Sequence, residues 1–192
     1  MKAASAAPDL VAVPLLRPAG LADVEAMARM INRYASKGLM LPKSRAELSR
    51  FFREYVVLAG PSGMVACGGL RVYSAELAEI VGLAVHEKWQ GRGLGKRIVA
   101  HLVEEAGTLD IVRVFAMAFE PEFFHPLGFR TIPRDWLPEK ESADCAVCAR
   151  RCACREVAVL MDLDPAAPPL ARRKRRTNLR LVGATAVASD KA

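Results

Sequence analysis

Between residues 79 and 109 the chain passes through three contrasting stretches. An almost continuously apolar run, Glu79-Ile80-Val81-Gly82-Leu83-Ala84-Val85, comes first. The glycine-rich Gln90-Gly91-Arg92-Gly93-Leu94-Gly95 follows, and then Leu94, Ile98, Leu102, Ala106 and Leu109 recur at helical spacing. A short run with no polar face suits a central strand covered on both sides. The recurrence, with Lys96, Arg97, Glu104 and Glu105 offering a polar face, suits an amphipathic helix. Buried strand, glycine turn and helix in that order point to an α/β domain. Glycines at such a junction let the backbone approach an anion, and the helix adds the positive end of its dipole. Gly82 inside the strand marks either a bulge or tight packing.

The flanking sequence extends the same alternation. Val11 to Leu16 reads as a first strand; Val24, Met27, Ala28, Ile31 and Tyr34 share one helical face, and Gly38 supplies a stop. Ser44 with Glu47 forms a capping-box pattern for a second helix toward Arg53. Tyr55 to Ala59 and Met64 to Val72 read as strands joined by Gly60-Pro61-Ser62-Gly63. Val112 to Phe119 is another strand, followed by a short helix from Pro121 and a strand ending near Asp162. No internal repeat interrupts the pattern.

With 192 residues, 52% of them hydrophobic, the chain can bury the core of one domain. The expected organisation is a flexible segment over 1–10, a folded domain over 11–164, and a Pro-rich then basic, disordered tail over 165–192. Of the net charge of +7, the tail carries +6 and the rest +1, so the excess is confined to an appendage. No aromatic residue interleaves with its Arg172-Arg173-Lys174-Arg175-Arg176 cluster, which argues for a solvated tail over a nucleic-acid arm. No window approaches the roughly 18 apolar residues of a membrane span. Met1 to Ser5 lack the apolar core of a secretory signal, and the expectation is a cytoplasmic protein without a membrane partner.

The glycine hexapeptide lacks the Lys-Ser/Thr ending of a P-loop and the G-x-G-x-x-G order of a dinucleotide fold. Gln-x-x-Gly-x-Gly after Leu83-Ala84-Val85 resembles the acetyl-coenzyme A signature of the GNAT acetyltransferase superfamily. Phe123-Phe124-His125-Pro126-Leu127-Gly128-Phe129 resembles a later element of that family. Met40-Leu41-Pro42, Cys67-Gly68-Gly69-Leu70, Ala78-Glu79-Ile80 and Glu120 to Phe124 are similar to the short N-acetylglutamate synthases, over about residues 12 to 163. The resemblance implies a GNAT fold: a mixed, mostly antiparallel central sheet flanked by helices and splayed at its central strands. It also implies acetyl transfer from acetyl-CoA, without a metal, to the α-amine of L-glutamate, the entry step of arginine biosynthesis. The arginine-binding domain of the longer bacterial enzyme has no counterpart here, so arginine feedback is left open, as is homo-oligomer formation. The short enzymes usually carry an arginine after the Glu-Ile pair and then often a serine, where this chain has Val81 and Gly82.

An amino-acid amine is largely ammonium near neutral pH and must lose a proton before attacking a thioester. Glu79 is the candidate base, against the alternative of a solvated strand cap. Backbone amides of Leu83 to Val85 could serve a tetrahedral oxyanion if Gly82 forms a bulge. The resemblance assigns Leu83, Ala84 and Val85 to the pantetheine arm, and Gln90, Gly91, Arg92, Gly93, Leu94, Gly95 and Lys96 to the pyrophosphate. Where many GNAT enzymes use a tyrosine to protonate the leaving thiolate, this chain has Phe124, so no general acid is identified. Lys43, Arg71, Arg130, Arg134 and Lys140 are the cations that could meet a substrate carboxylate, and Tyr73 faces either substrate or the strand surface.

Cys145, Cys148, Cys152 and Cys154 crowd into ten residues, while Cys67 lies in an apolar strand. Zinc ligand pairs are normally separated by a longer loop than this cluster has; free or redox-active thiols are the expectation, with structural zinc as the alternative. His86, His101 and His125 are dispersed. Two rival functions stand beside glutamate acetylation. One is a GNAT enzyme for another small amine or a protein N-terminus; the other is a non-catalytic module binding coenzyme A or nucleic acid.

Overall fold

The computed structural model describes residues 13–148 and 153–170. Cys152, the 1–10 segment and the basic cluster at 172–176 lie outside the described residues. One seven-stranded sheet is built from β1 (Leu15–Pro18), β2 (Tyr55–Gly60), β3 (Gly63–Ser74), β4 (Leu77–Val85), β5 (Arg113–Ala118), β6 (Arg130–Ile132) and β7 (Val157–Asp162). The order is β1-β2-β3-β4-β5-β7-β6, antiparallel except where β4 meets β5. Among the described residues four α-helices accompany it: α1 (Val24–Ser36), α2 (Arg45–Phe51), α3 (Leu94–Thr108) and α4 (Pro138–Ala143).

Two apolar clusters cover the first part of the sheet. Ile98, Val99, Leu102 and Ala106 of α3 pack with Val56, Leu58, Ala66 and Leu70, whereas Met27, Ala28 and Ile31 of α1 pack with Val57, Cys67, Val81 and Ala84. The alternation along β2 and β3 thus divides its side chains between two helices, which is why α1 and α3 both carry an apolar stripe. Truncating a fully buried side chain such as Leu102 to alanine costs about 2–5 kcal/mol in a site of this kind. Gly68 is where α3 comes closest: a Cβ there would meet Ile98 at 2.7 Å.

The boundaries differ from the sequence reading in several places. β1 spans Leu15–Pro18 and not Val11–Leu16, because pairing with Ala59 through Val56 begins just after Pro14 and ends at Pro18. The capping box at α2 is half formed: Ser44 Oγ accepts from Glu47 N at 3.0 Å, but the Glu47 carboxylate turns to Lys43 Nζ. Leu109 follows the last turn of α3 and is half exposed, outside the buried stripe. The sequence pattern gives no sign of β6 or α4; a three-residue strand and a six-residue helix are too short to show a period. The chain also stays packed past Asp164, since the buried Arg113 donates to the Pro168 carbonyl and Leu170 lies against Phe115 and its neighbours.

The functional consequence of the sheet lies where β4 and β5 part. Their parallel pairing runs only from Leu77↔Arg113 to Ile80↔Ala116. Beyond Ile80, β4 continues along β3 while β5 stays with β7. The register on β3 shifts between Cys67↔Ala84 and Gly69↔Val81, which leaves one extra residue on β4. Gly82 takes that bulge with φ +58°, and a Cβ there would crowd the Tyr55 ring and hydroxyl at 3.0 Å. Of the two readings of this glycine, the bulge is the one realised, and it splays the sheet open.

Candidate active site

A cleft of about 1500 Å³ occupies the opening between β4 and β5. That is larger than the 300–1,000 Å³ typical of a drug-sized ligand, and it suits two reactants side by side. Leu83, Ala84 and Val85 line it along the stretch of β4 that has left β5. Gln90, Gly91, Gly93, Leu94, Gly95 and Lys96 line it at the mouth of α3.

The loop is shaped as a backbone cradle. Gly91 and Gly93 have φ of +72° and +76°, and a Cβ on either would meet nothing within 4 Å, so open space adjoins the backbone at both. Gly93 is the N-cap of α3 and provides no side-chain hydrogen bond to the helix amides. Gly95 is needed for a different reason: a Cβ there would press on the Phe123 ring at 3.2 Å. These features fit the diphosphate of a coenzyme A thioester. Arg92 is set apart from the other loop residues, its guanidinium lying 4.8 Å from the centroid of the Trp89 ring. Gln90 donates to Tyr34 Oη at 2.9 Å, and Tyr34 donates to the Val85 carbonyl. Tyr34 therefore ties the loop to the end of β4, a link invisible in sequence because the partners lie about fifty residues apart.

The other end of the cleft is charged and buried. Glu79 is the third residue of β4, not its opening residue, and is only 3% exposed, so it is no solvated cap. It pairs across the ladder with Arg71 and shares that face of the sheet with Tyr73, two residues along β3. Glu79 Oε2 accepts from Lys140 Nζ at 2.8 Å and lies 2.7 Å from Tyr73 Oη. Lys140 of α4 also donates at 2.8 Å to Oδ2 of Asp144, the residue that caps the helix's C-terminal end. Leu137, just before α4, is buried with Phe115 and Leu160 and anchors the helix against the sheet. Burial raises the Glu79 pKa above the ordinary carboxylate range, opposed in part by Lys140 and Tyr73. For Asp144, burial acts upward but is outweighed by hydrogen bonds from Lys140 and Tyr73, and its pKa falls.

The five cations expected to meet a carboxylate separate clearly. Arg130 pairs with Asp162 on the surface and does not line the cleft. Lys43 pairs with Glu47, Arg71 with Glu54 and Asp144, and Lys140 with Glu79 and Asp144. Arg134 lines the cleft with its described partners the thiols of Cys145 and Cys154. Phe124 is buried edge-on to Phe123 and Phe129 and presents no hydroxyl. Cys145, Cys148 and Cys154 line the same cleft, and among the described residues no three potential ligands are arranged to hold a metal. Cys67 is fully buried and its thiol is pushed up to about 12, as befits a core residue.

Comparison with known proteins agrees with this geometry. The family described as "Acetyltransferase (GNAT) domain" matches residues 51–131. An uncharacterized N-acetyltransferase of Chlorobaculum tepidum is 30% identical over 77% of this chain and 96% of its own length. The amino-acid acetyltransferase of Mycobacterium tuberculosis is 36% identical over 62% of this chain and 70% of its own. The chain belongs to the GNAT acetyltransferase family. Among solved structures, this GNAT acetyltransferase resembles N-acetylglutamate synthase from Neisseria gonorrhoeae complexed with coenzyme A and N-acetyl-glutamate, at 28% identity and a TM-score of 0.72. The likeness covers 80% of this chain and 36% of that one. Among the described residues of the GNAT acetyltransferase, no helix is long and apolar enough to cross a membrane.

Proposed function

We propose that the protein transfers the acetyl group of acetyl-CoA to the α-amine of L-glutamate, giving N-acetyl-L-glutamate, and so serves the first step of arginine biosynthesis. The observation that carries this reading is the buried Glu79 set among Tyr73, Lys140 and Asp144 in the cleft that β4 and β5 open. Similarity to a synthase solved with coenzyme A and N-acetyl-glutamate supports it.

In this reading the backbone of Gly91, Gly93, Leu94 and Gly95 holds the pyrophosphate, with Gln90 and Lys96 at its margins. Arg92, stacked on Trp89, contributes charge from outside the cradle. The stretch of Leu83, Ala84 and Val85 no longer paired with β5 receives the pantetheine arm and directs amides at the developing oxyanion. Glu79 takes a proton from the ammonium, its raised pKa matching it to that task. Arg134 meets a substrate carboxylate, because in this cleft it is held by thiols, which are weaker acceptors than the carboxylates that occupy Lys43, Arg71 and Lys140.

The test is release of free thiol from acetyl-CoA across a panel of amino acids, with mass detection of N-acetylglutamate. Glutamate-dependent release is expected. Release only with other amines would overturn the substrate and favour the second reading, an acetyltransferase for another small amine or a protein N-terminus. That alternative draws its support from Val81, which packs among Met27, Ile31 and Tyr55 where similar enzymes usually carry an arginine.

A further inference from the structure

Glu79 is a base with a difficulty: its side chain is 4% exposed, so a proton accepted there has little direct access to water. The surrounding geometry answers this. Tyr73 Oη lies 2.7 Å from Glu79 Oε2 and 2.5 Å from Asp144 Oδ2. A phenol has one proton to donate, so only one of the two carboxylates can receive it at a time; a proton on one carboxyl, beside Lys140 Nζ, which donates to both and lies 3.4 Å from Tyr73 Oη, would satisfy the other contact. Charge points to the same count. With both carboxyls ionised, Lys140 would be outnumbered at a largely buried site; with one protonated, Lys140 and the remaining carboxylate balance, and the adjoining Arg71 and Glu54 balance each other. Asp144 is the more exposed carboxylate, at 35% against 4% for Glu79.

We infer that Glu79, Tyr73 and Asp144 form a proton relay that carries the acceptor's proton from the buried end of the cleft to solvent, with Lys140 as its counter-ion. The inference rests on the reading of Glu79 as base and adds Tyr73 and Asp144 as residues through which it acts. In balanced form, the acceptor N–H bond breaks and an O–H bond forms on Glu79. That proton then passes to Tyr73 Oη as the phenolic proton passes to Asp144 Oδ2, and Asp144 releases it to water. Tyr73 Oη stands within hydrogen-bond distance of both carboxylate oxygens, so the phenolic proton can be delivered to either. Once emptied, the cluster carries an extra negative charge that draws in the next ammonium.

The groups facing Glu79 are Tyr73 and Arg71 from β3, Lys140 from α4 and Asp144 just after it, and the apolar Phe115 opposite it on β5. Tyr73→Phe keeps the ring and its contact with Phe115, at 5.8 Å between centroids, while deleting the link. Since the hydroxyl lowers the Glu79 pKa, its loss moves the acid limb of the pH–kcat profile upward.

The experiment compares pH profiles of Tyr73→Phe, Asp144→Asn and Glu79→Gln with the unmodified protein, using its best amine acceptor. Infrared spectra at neutral pH provide a readout that needs no acceptor. Expected are roughly tenfold losses of kcat in Tyr73→Phe and Asp144→Asn, the KM for acetyl-CoA staying constant. A protonated-carboxyl band should be present in the unmodified protein and lost in Glu79→Gln. An unchanged acid limb in Tyr73→Phe, or no such band in the unmodified protein, would overturn the relay and leave Glu79 as base. An unchanged kcat in Glu79→Gln would remove the base itself, and the relay with it.

Discussion

The two ends of the cleft are built on opposite principles. The cofactor end comes from one short segment, Gln90 to Lys96, whose glycines set the backbone directly. The acceptor end assembles Tyr73 from β3, Glu79 from β4, Lys140 from α4 and Asp144 just after it, groups separated by up to 71 residues. One end is a conformation and the other is an encounter. Damage should follow that division: at the cofactor end substitutions act through φ and amide direction, and at the acceptor end through charge and proton position.

The largest expected effect belongs to the acceptor end. Glu79→Gln should lower kcat about a hundredfold, with little change in the KM for acetyl-CoA. A comparable rise in that KM would mean the two ends are not separable. Next comes Arg134→Ala, which should raise the KM for glutamate roughly thirtyfold, equivalent to about 2 kcal/mol for a lost charge-assisted hydrogen bond. An unchanged KM would move carboxylate recognition to Arg71 or Lys43. At the cofactor end, Gly93→Ala adds a methyl that meets nothing yet forces φ +76° on a residue with a Cβ. At a cost of about 1 kcal/mol, the KM for acetyl-CoA should rise about fivefold with kcat for saturated enzyme retained.

The same division explains what could be read from the sequence. β4, the glycine loop and α3 were legible because each is governed by its own residues: an apolar run, positive φ, a helical stripe. Glu79 stood out as a lone carboxylate beside an apolar run, which was enough to select it. Nothing local marked Tyr73, Lys140 or Asp144 as its partners. α4 has only six residues and is held by Leu137 against the sheet rather than by an apolar face of its own, so no period betrayed it. The one available signal was the Lys140 and Asp144 pair at i,i+4, a spacing that puts both on one side of a helix if a helix is assumed. Arg134 among cysteines was equally silent, since its distinction lies in having thiol partners where the other cleft cations found carboxylates.

The smallest effect should come from outside both ends, and it tests whether the cleft is complete without the basic segment. Among the described residues its lining runs from Tyr34 to Glu156. Removing residues 171–192 should leave kcat and both KM values within about twofold, since every group assigned a part in the reaction lies between Tyr34 and Asp144. Removing 165–192 is a different operation. It strips Arg113, whose side chain is 4% exposed, of the Pro168 carbonyl and uncovers the Leu170 contact beside Phe115, while Asp162 remains as a partner. That truncation should lower stability by about 1–3 kcal/mol in a chemical denaturation curve, because a buried polar group loses a partner. Equal behaviour of the two truncations would place the end of the stabilising body at Asp164, and a loss of kcat already in the shorter truncation would bring the basic segment into the acetyl-transfer site.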